Sequence, residues 1–303
     1  MNADDRAAPG TVTHAPTRRR TRRLVTIAVV AASVLSSAGL AAGGTRGEAT
    51  APTGAGVVRV PKGQPVQIAV VVDTASQSLG YLGLGIRNAI EMAVGQQTIR
   101  GFPIQMNVFD VPAFVAEDPA AIADNAATAQ EVVSNPQNVA VLGHEASLTF
   151  GDVQPATGPC PSPTTDSALS VYEAHDVVTI NGSTTNPCLP PVGPTVFNGT
   201  AAPGDAFDAW YQSVQALPSD VVWRAAYQLR FGTAATDFAD LYYDATNVLL
   251  AGIQSVAKIA NGNLVIPRSA LAEAVRATTG FCGVTGTLTL DTTGYRVDQA
   301  GPC

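Results

Sequence analysis

The sequence lacks the residue patterns of common catalytic, metal and cofactor sites. It has no Gly-x-Ser-x-Gly segment, which a hydrolase of the nucleophile-elbow type needs, and no Cys-x-x-Cys pair. Beyond residue 42 the only histidines are His144 and His175, which form no ligand spacing typical of a metal site. Glycines at 80, 83 and 85 precede Asp110, but their order is not that of a dinucleotide-binding loop. We therefore predict a protein that is not an enzyme and holds neither a metal ion nor a cofactor.

Long apolar runs are also absent, except for one near the amino terminus. Residues 1–23 carry six arginines, residues 24–42 are apolar or small, and no later stretch could span a bilayer. This order predicts a signal peptide over residues 1–43, cleaved between Ala41 and Gly44, and thus an exported protein, periplasmic or at the cell surface. An uncleaved membrane anchor is the alternative, because the 19 apolar residues are enough to cross a membrane.

Basic residues are scarce once this leader is set aside. Eleven of the 17 basic residues and 22 of the 24 acidic residues follow residue 23, which gives a formal charge of about −11. Such a balance argues against nucleic acid and against an anionic membrane surface as partners.

Four cysteines follow the leader, namely Cys160, Cys188, Cys282 and Cys303. An even number in an exported chain indicates two disulfides, with three conceivable pairings. We favour Cys160–Cys188 and Cys282–Cys303, because each pair brackets a local segment. Such a bridge stabilises a fold by about 3 kcal/mol if it is unstrained.

Apolar runs and helical periodicity alternate along the chain after residue 66. The apolar runs show no alternation, which is typical of strands buried on both faces of a parallel sheet. They lie at 66–72, 104–109, 139–142 and 177–180, with a shorter run at 195–198. Helical patterns separate them, starting near 82, 118 and 166. The alternation predicts an α/β domain whose parallel sheet has helices on both faces.

The remaining segments are assigned in the same way. Residues 44–65 are rich in Gly, Ala, Pro and Thr, and we predict a flexible linker there. Further helices are predicted near the carboxyl terminus, at 206–215, 221–231, 237–259 and 267–276. A strand over 283–290, a turn at 291–294 and a returning segment over 295–297 then predict a short β-hairpin.

Two predicted strands end in loops rich in hydroxyl groups and backbone donors. Residues 177–187 read Val-Val-Thr-Ile-Asn-Gly-Ser-Thr-Thr-Asn-Pro, and residues 139–147 read Val-Ala-Val-Leu-Gly-His-Glu-Ala-Ser. In open α/β sheets, small ligands bind at the carboxyl ends of the strands. The two loops therefore predict a ligand cleft.

Several segments, taken together, resemble a known family. They are Asn-Ala-Ile-Glu-Met-Ala at 88–93, Val-Leu-Gly-His at 141–144 before Ser147, Thr-Asn-Pro at 185–187, Tyr-Asp-Ala-Thr at 243–246, and residues 281–290. Their order and spacing are similar to those of the type I periplasmic binding proteins, specifically the leucine/isoleucine/valine-binding branch. These proteins are the extracytoplasmic receptors of ABC importers for branched-chain amino acids and related small polar molecules.

The resemblance covers one of the two lobes that family members have. In the family, the chain crosses to a second lobe after a strand like residues 195–198, and the ligand is held between the lobes. Here only about residues 199–217 precede the returning helices, whereas a lobe needs on the order of a hundred residues. We therefore predict a single domain over 66–303, formed by 66–198 and the returning segment 206–303, that lacks the second lobe.

The family's first-lobe contacts fall on hydroxyl-bearing loops of this sequence. Such groups bind the carboxylate and ammonium of an amino acid through hydroxyl and backbone atoms. Helix capping and ordinary loop hydrogen bonding are the alternative roles of Ser147 and Ser183. The ligand-binding residues that the resemblance implies are Ser147, Ser183, Thr184 and Thr185, with Ser78 and Tyr81 beside them as the wall.

Two functions follow from this resemblance. The first is an exported, non-enzymatic substrate-binding protein of an ABC transporter, with an amino acid or amide as ligand and a membrane permease as partner. The second is a single-lobe interaction or scaffold module, whose exposed half-cleft meets a protein partner or a second copy in a homodimer.

Overall fold

A six-stranded sheet forms the centre of the computed structural model, and five of its strands are parallel. The structure describes residues 56–77, 79–111, 119–145, 167–183, 195–200, 207–297 and 301, without the side chains of 119–122. The sheet order is β3-β4-β2-β5-β6-β7, with β3 antiparallel to β4. Its strands are β2 (Val66–Val72), β3 (Thr98–Ile99), β4 (Phe102–Asp110), β5 (Asn138–Gly143), β6 (Val178–Asn181) and β7 (Val196–Asn198).

Helices cover both faces of this sheet, as the alternation of strands and helices predicts. Ile68 and Val70 of β2 belong to a core shared with α1, α6 and α7, whereas Ala69 and Val71 belong to a core shared with α2 and α3. Burial on both faces explains why the strand sequences do not alternate. The helices are α1 (Gly80–Val94), α2 (Pro119–Ser134), α3 (Ala168–Ala174), α4 (Phe207–Gln215), α5 (Pro218–Phe231), α6 (Ala239–Val256) and α7 (Arg268–Arg276).

The predicted linker over 44–65 is wrong for its described part. Strand β1 (Val57–Val60) pairs antiparallel with β9 (Asn263–Pro267), and Val58 and Val60 are buried in the main core. Four residues between Gly- and Pro-rich stretches are too few to carry a periodic signal of their own. The pairing with a segment 200 residues away creates this strand.

The strongest predicted helix is too long at its carboxyl end. We predicted helix to residue 259, but α6 ends at Val256, and β8 (Lys258–Ala260) pairs with β9 as a hairpin. Asn261 and Gly262 both have positive φ, 51° and 79°. This Asn-Gly pair is a strong signal for a two-residue hairpin turn and outweighs the helical periodicity before it.

The predicted turn at 291–294 is present, because Leu290 and Arg296 form an antiparallel bridge across it, but the strand predicted over 283–290 is divided. Its first part lies in a separate hairpin, in which strands β10 (Phe281–Gly283) and β11 (Gly286–Leu288) pair antiparallel. The turn between them is held by Asp244 of α6, whose carboxylate accepts hydrogen bonds from the backbone N–H of Val284 (2.9 Å) and Thr285 (2.8 Å). That contact spans 40 residues, so local sequence does not reveal it.

The structure tests the predicted disulfides only in part, and it does not describe the predicted leader. Cys282 of β10 is disulfide-bonded, but Cys160, Cys188 and Cys303 lie outside the described residues, so both pairings stay predictions. The predicted leader also lies outside them. In the part of the chain that is described, no helix has the length and apolarity to cross a membrane.

Candidate functional site at the carboxyl edge of the sheet

The parallel strands end together and deliver polar side chains to one edge of the sheet. Asp73 directly follows β2, Asp110 is the last residue of β4, and Glu145 comes two residues after β5. Asn181 ends β6, and Ser183 follows it. The carboxyl ends of parallel strands meet at one edge of the sheet, and the predicted polar cleft depends on this arrangement.

Carboxylates at this edge hold the loop that joins β2 to α1. Glu145 Oε2 accepts a hydrogen bond from the N–H of Asp73 (2.8 Å), and Asp73 Oδ1 accepts one from the N–H of Ser76 (2.9 Å). Asp110 Oδ1 accepts from both the N–H (2.6 Å) and the hydroxyl (2.7 Å) of Thr74. The loop is thus fixed by charge-assisted hydrogen bonds, which are stronger than neutral ones.

The Glu145 carboxyl is buried without a cationic partner among the described residues. Only 6% of the surface of Glu145 is exposed. Desolvation raises the pKa of Glu145 from 4.5 to about 7; the N–H of Asp73 opposes this, and the charges of Asp73 and Asp110 add to it. Among the described residues, no arginine or lysine forms an ion pair with Glu145 or Asp110. These two carboxyl groups therefore have room for a positively charged partner.

Gly83 allows α1 to lie directly on this edge. A Cβ atom at Gly83 would be 1.8 Å from the carbonyl oxygen of Asp73 and 2.6 Å from Glu145 Oε2. Any side chain there would push the first turns of α1 away from the acids. The glycine pattern that superficially suggests a nucleotide loop thus has a packing role.

Ser183, a predicted ligand contact, is buried and hydrogen-bonded within the protein. Its N–H donates to Asn181 Oδ1 (2.7 Å), its hydroxyl donates to the carbonyl oxygen of Glu145, and the hydroxyl of Tyr242 lies 3.3 Å away. Only 5% of the residue is exposed. Loop hydrogen bonding, the alternative role considered for Ser183, is present, whereas its contact with a ligand stays a prediction.

His144 lies beneath the edge as a neutral, hydrogen-bonded residue. Its Nδ1 is 2.6 Å from Asn125 Oδ1, and its Nε2 is 2.9 Å from the hydroxyl of Tyr172. Complete burial lowers the pKa of His144 from 6.5 to about 3. Its carbonyl oxygen accepts a hydrogen bond from the hydroxyl of Tyr242 (3.1 Å). The imidazole therefore supports the strand end and carries no charge at neutral pH.

Of the other predicted site residues, the structure describes only Tyr81. Ser78, Ser147, Thr184 and Thr185 lie outside the described residues, so their roles stay predictions. Tyr81 is 59% exposed and lines a cavity between α1 and α5 together with Tyr227.

Sequence reasoning missed the acids of the edge. The sequence places Asp73 and Asp110 at strand ends, weighs Asp110 only as the acid of a dinucleotide site, and weighs Glu145 only with His144 as a metal ligand. The available signal is their position, because each acid lies within three residues of the carboxyl end of a predicted strand.

No protein-family model and no curated protein matches the chain. Solved structures do resemble it. The substrate-binding protein LivJ of a branched-chain amino-acid transporter from Streptococcus pneumoniae, in complex with isoleucine, has a TM-score of 0.57 at 12% identity; the match covers 78% of this chain and 94% of LivJ. The chain has the fold of the type I periplasmic binding proteins.

Two further neighbours with this fold are complexed with different ligands. An ABC-transporter substrate-binding protein from Desulfitobacterium hafniense, complexed with leucine, has a TM-score of 0.56 at 14% identity, covering 77% of this chain and 95% of that one. A solute-binding protein from Rhodopseudomonas palustris, complexed with benzoate, has a TM-score of 0.54 at 10% identity, covering 78% and 93%. These neighbours are binding proteins with small ligands, and at such identities the similarity shows the fold alone.

Proposed function

We propose that the chain is an exported, non-enzymatic substrate-binding protein of an ABC transporter, which binds a small amino acid or a related amide or amine. Its fold is that of such proteins. The observation that carries the proposal is the carboxyl edge of the sheet, where polar loops converge at the place at which open α/β sheets bind ligands. The domain is a single lobe, and a membrane permease is its partner.

The chemistry of the edge supports a zwitterionic or cationic ligand. Glu145 and Asp110 each use one carboxylate oxygen for the β2–α1 loop, and neither has a cationic partner among the described residues. An ammonium group would supply the missing positive charge. The hydroxyls of Ser147, Thr184 and Thr185 would then donate to the carboxylate or amide end of the ligand.

Thermal melting of the full-length chain with its disulfides intact tests this function. The ligands are amino acids, amides and short-chain amines. A ligand at a hundred times its dissociation constant adds about 2.7 kcal/mol, which raises Tm by a few degrees. We expect Ser147→Ala and Thr185→Ala to abolish the shift.

Ser269→Ala is the matched control, because Ser269 is an exposed serine of α7. The residue before it, Arg268, contacts Asn138 at the opposite end of β5 from the carboxyl edge. The Ser269→Ala variant should leave the shift unchanged. The proposal would be overturned if no ligand of the panel raised the Tm of the native chain.

A second candidate function, the single-lobe interaction module, is favoured by the outer face of α5. Val221, Val222 and Leu229 are exposed there, Leu229 by 90%, while Trp223 and Tyr227 face inward. Ala225 and Ala226 lie between Val222 and Leu229 on this exposed face, and their small side chains would let the α5 helix of a second copy approach closely. Leu229→Asp should then convert a dimer to a monomer in the molar mass measured by light scattering.

A further inference from the structure

A cavity between α1 and α5 has the lining of a ligand site and shares no residue with the acids of the sheet edge. Its volume is about 350 Å³, at the lower end of the roughly 300–1,000 Å³ typical of ligand pockets. Helix α1 contributes Tyr81, Leu84 and Arg87, and α5 contributes Tyr227 and Phe231. Tyr81 and Leu84 are exposed at 59% and 41%, so apolar surface surrounds the opening.

The aromatic wall of this cavity is held in place by the protein. The hydroxyl of Tyr227 donates to the carbonyl oxygen of Gly85 (3.2 Å), and its ring centroid is 4.8 Å from that of Phe231. The guanidinium of Arg230 lies 5.2 Å from the Phe231 ring centroid. Two rings of α5 are thus fixed against α1, and a bound molecule would not have to order them.

Gly85 brings the segment after α5 close to α1 and closes the cavity. A Cβ atom at Gly85 would lie 1.9 Å from Thr236 Oγ1. Thr236 and Thr233 both line the cavity, so hydroxyl groups lie beside the aromatic rings. A site with flat apolar walls and a few polar groups suits a one-ring molecule with a polar end.

Arg87 provides the positive charge of the cavity. In the part of the chain that the structure describes, Arg87 forms no ion pair and no hydrogen bond. The acid one helical turn away, Glu91, pairs instead with Arg230 at 3.4 Å. A guanidinium without a partner matches a carboxylate, which it can bind through two parallel hydrogen bonds.

We propose that this cavity is a second binding site, which takes a small aromatic carboxylate. Arg87 binds the carboxylate, and the ring of the ligand packs between Tyr81 of α1 and the Tyr227–Phe231 pair of α5. The site stands apart from the one proposed at the sheet edge, where acids favour the opposite charge, and it does not depend on that function.

Isothermal titration of the full-length chain with benzoate tests the proposal, with benzamide as the uncharged probe. We expect saturable benzoate binding, at least tenfold tighter than that of benzamide. Arg87→Gln should weaken benzoate binding at least tenfold and leave Tm unchanged, because Arg87 has no partner within the described chain. Tyr81→Ala should also weaken binding, whereas Tyr81→Phe should keep it.

Two controls separate this cavity from other sites. Arg59→Gln removes an exposed arginine of β1, outside the cavity, and should leave benzoate binding unchanged. Ser147→Ala should also leave it unchanged. Loss of binding in Ser147→Ala with retention in Arg87→Gln would assign benzoate to the sheet edge and overturn the proposal. Absence of saturable binding, or equal affinity for benzamide, would overturn it as well.

Discussion

Two clusters of carboxylates differ in the partners that the structure shows for them. Between α5 and α6, Arg224 lies between two fully buried acids, with Nε 2.5 Å from Asp220 Oδ2 and Nη2 2.6 Å from Asp240 Oδ2. The hydroxyl of Tyr211 of α4 donates to Asp240 Oδ1 (2.8 Å) and accepts from the N–H of Phe238 (2.7 Å). This cluster connects three helices.

At the sheet edge, the carboxylates of Asp73, Asp110 and Glu145 accept hydrogen bonds from N–H and O–H groups of the β2–α1 loop. Desolvation raises the pKa of Asp220 as it raises that of Glu145, but Arg224 opposes the rise at Asp220 and no cation does so at Glu145. The helix cluster therefore has a cation between its two acids, whereas Glu145 and Asp110 at the edge have none among the described residues. Under the proposed function, the ammonium group of a ligand would take that place.

The largest effect should come from removing the cation of the helix cluster. Arg224→Met leaves Asp220 and Asp240 buried together without their shared cation, which should cost about 3–5 kcal/mol of unfolding free energy. Urea unfolding at pH 7 measures it. Arg230→Met breaks the exposed pair with Glu91 and should cost at most about 1 kcal/mol. Similar losses in both variants would mean that the helix cluster is no more than a surface pair.

A smaller effect of opposite sign is expected at the sheet edge. Because the pKa of Glu145 is raised to about 7 in the folded chain, its contribution to stability is complete below pH 4.5 and is lost as pH rises through about 7. Glu145→Gln keeps an oxygen for the N–H of Asp73 but cannot ionise. It should be about 1–2 kcal/mol more stable than the native chain at pH 8 and equal to it near pH 4.5.

Urea unfolding between pH 4.5 and 8 measures this difference. Glu273→Gln, which changes an exposed glutamate of α7, should follow the native curve at every pH. A Glu145→Gln variant that is less stable than the native chain at pH 8 would show that the edge carries a compensating positive charge.

The smallest effect is expected when one hydrogen-bond donor to a carboxylate of the edge is removed. Thr74→Ala removes the hydroxyl that donates to Asp110 Oδ1 but keeps the backbone N–H bond. We expect a loss of about 0.5–1 kcal/mol in unfolding free energy, typical of one hydrogen bond. Thr74→Ser retains the hydroxyl and should stay within about 0.3 kcal/mol of the native chain. Equal losses in the two variants would assign the effect to the methyl group.

Much of the fold could be predicted because its signals are local. The unbroken apolar run of Val66–Val72 requires burial on both sides, and the helical spacing after residue 80 requires a partner surface. Two of the failed predictions share one cause, a contact between segments that are distant in the chain. Strand β1 exists because Val57–Val60 meets β9, and the β10–β11 turn is fixed by Asp244 of α6. Neither contact leaves a trace in the neighbouring residues.

The candidate site divides in the same way. By itself the sequence determined that polar loops follow the strands, because a parallel sheet gathers its carboxyl ends at one edge. Only the tertiary structure decided that Glu145 is buried beside Asp73 and that Tyr81 lines a cavity on α5. It also decided that Tyr242 reaches the carbonyl oxygen of His144, 98 residues away in the chain. Burial and charge pairing are properties of such distant contacts, and they arise only when the helices pack on the sheet.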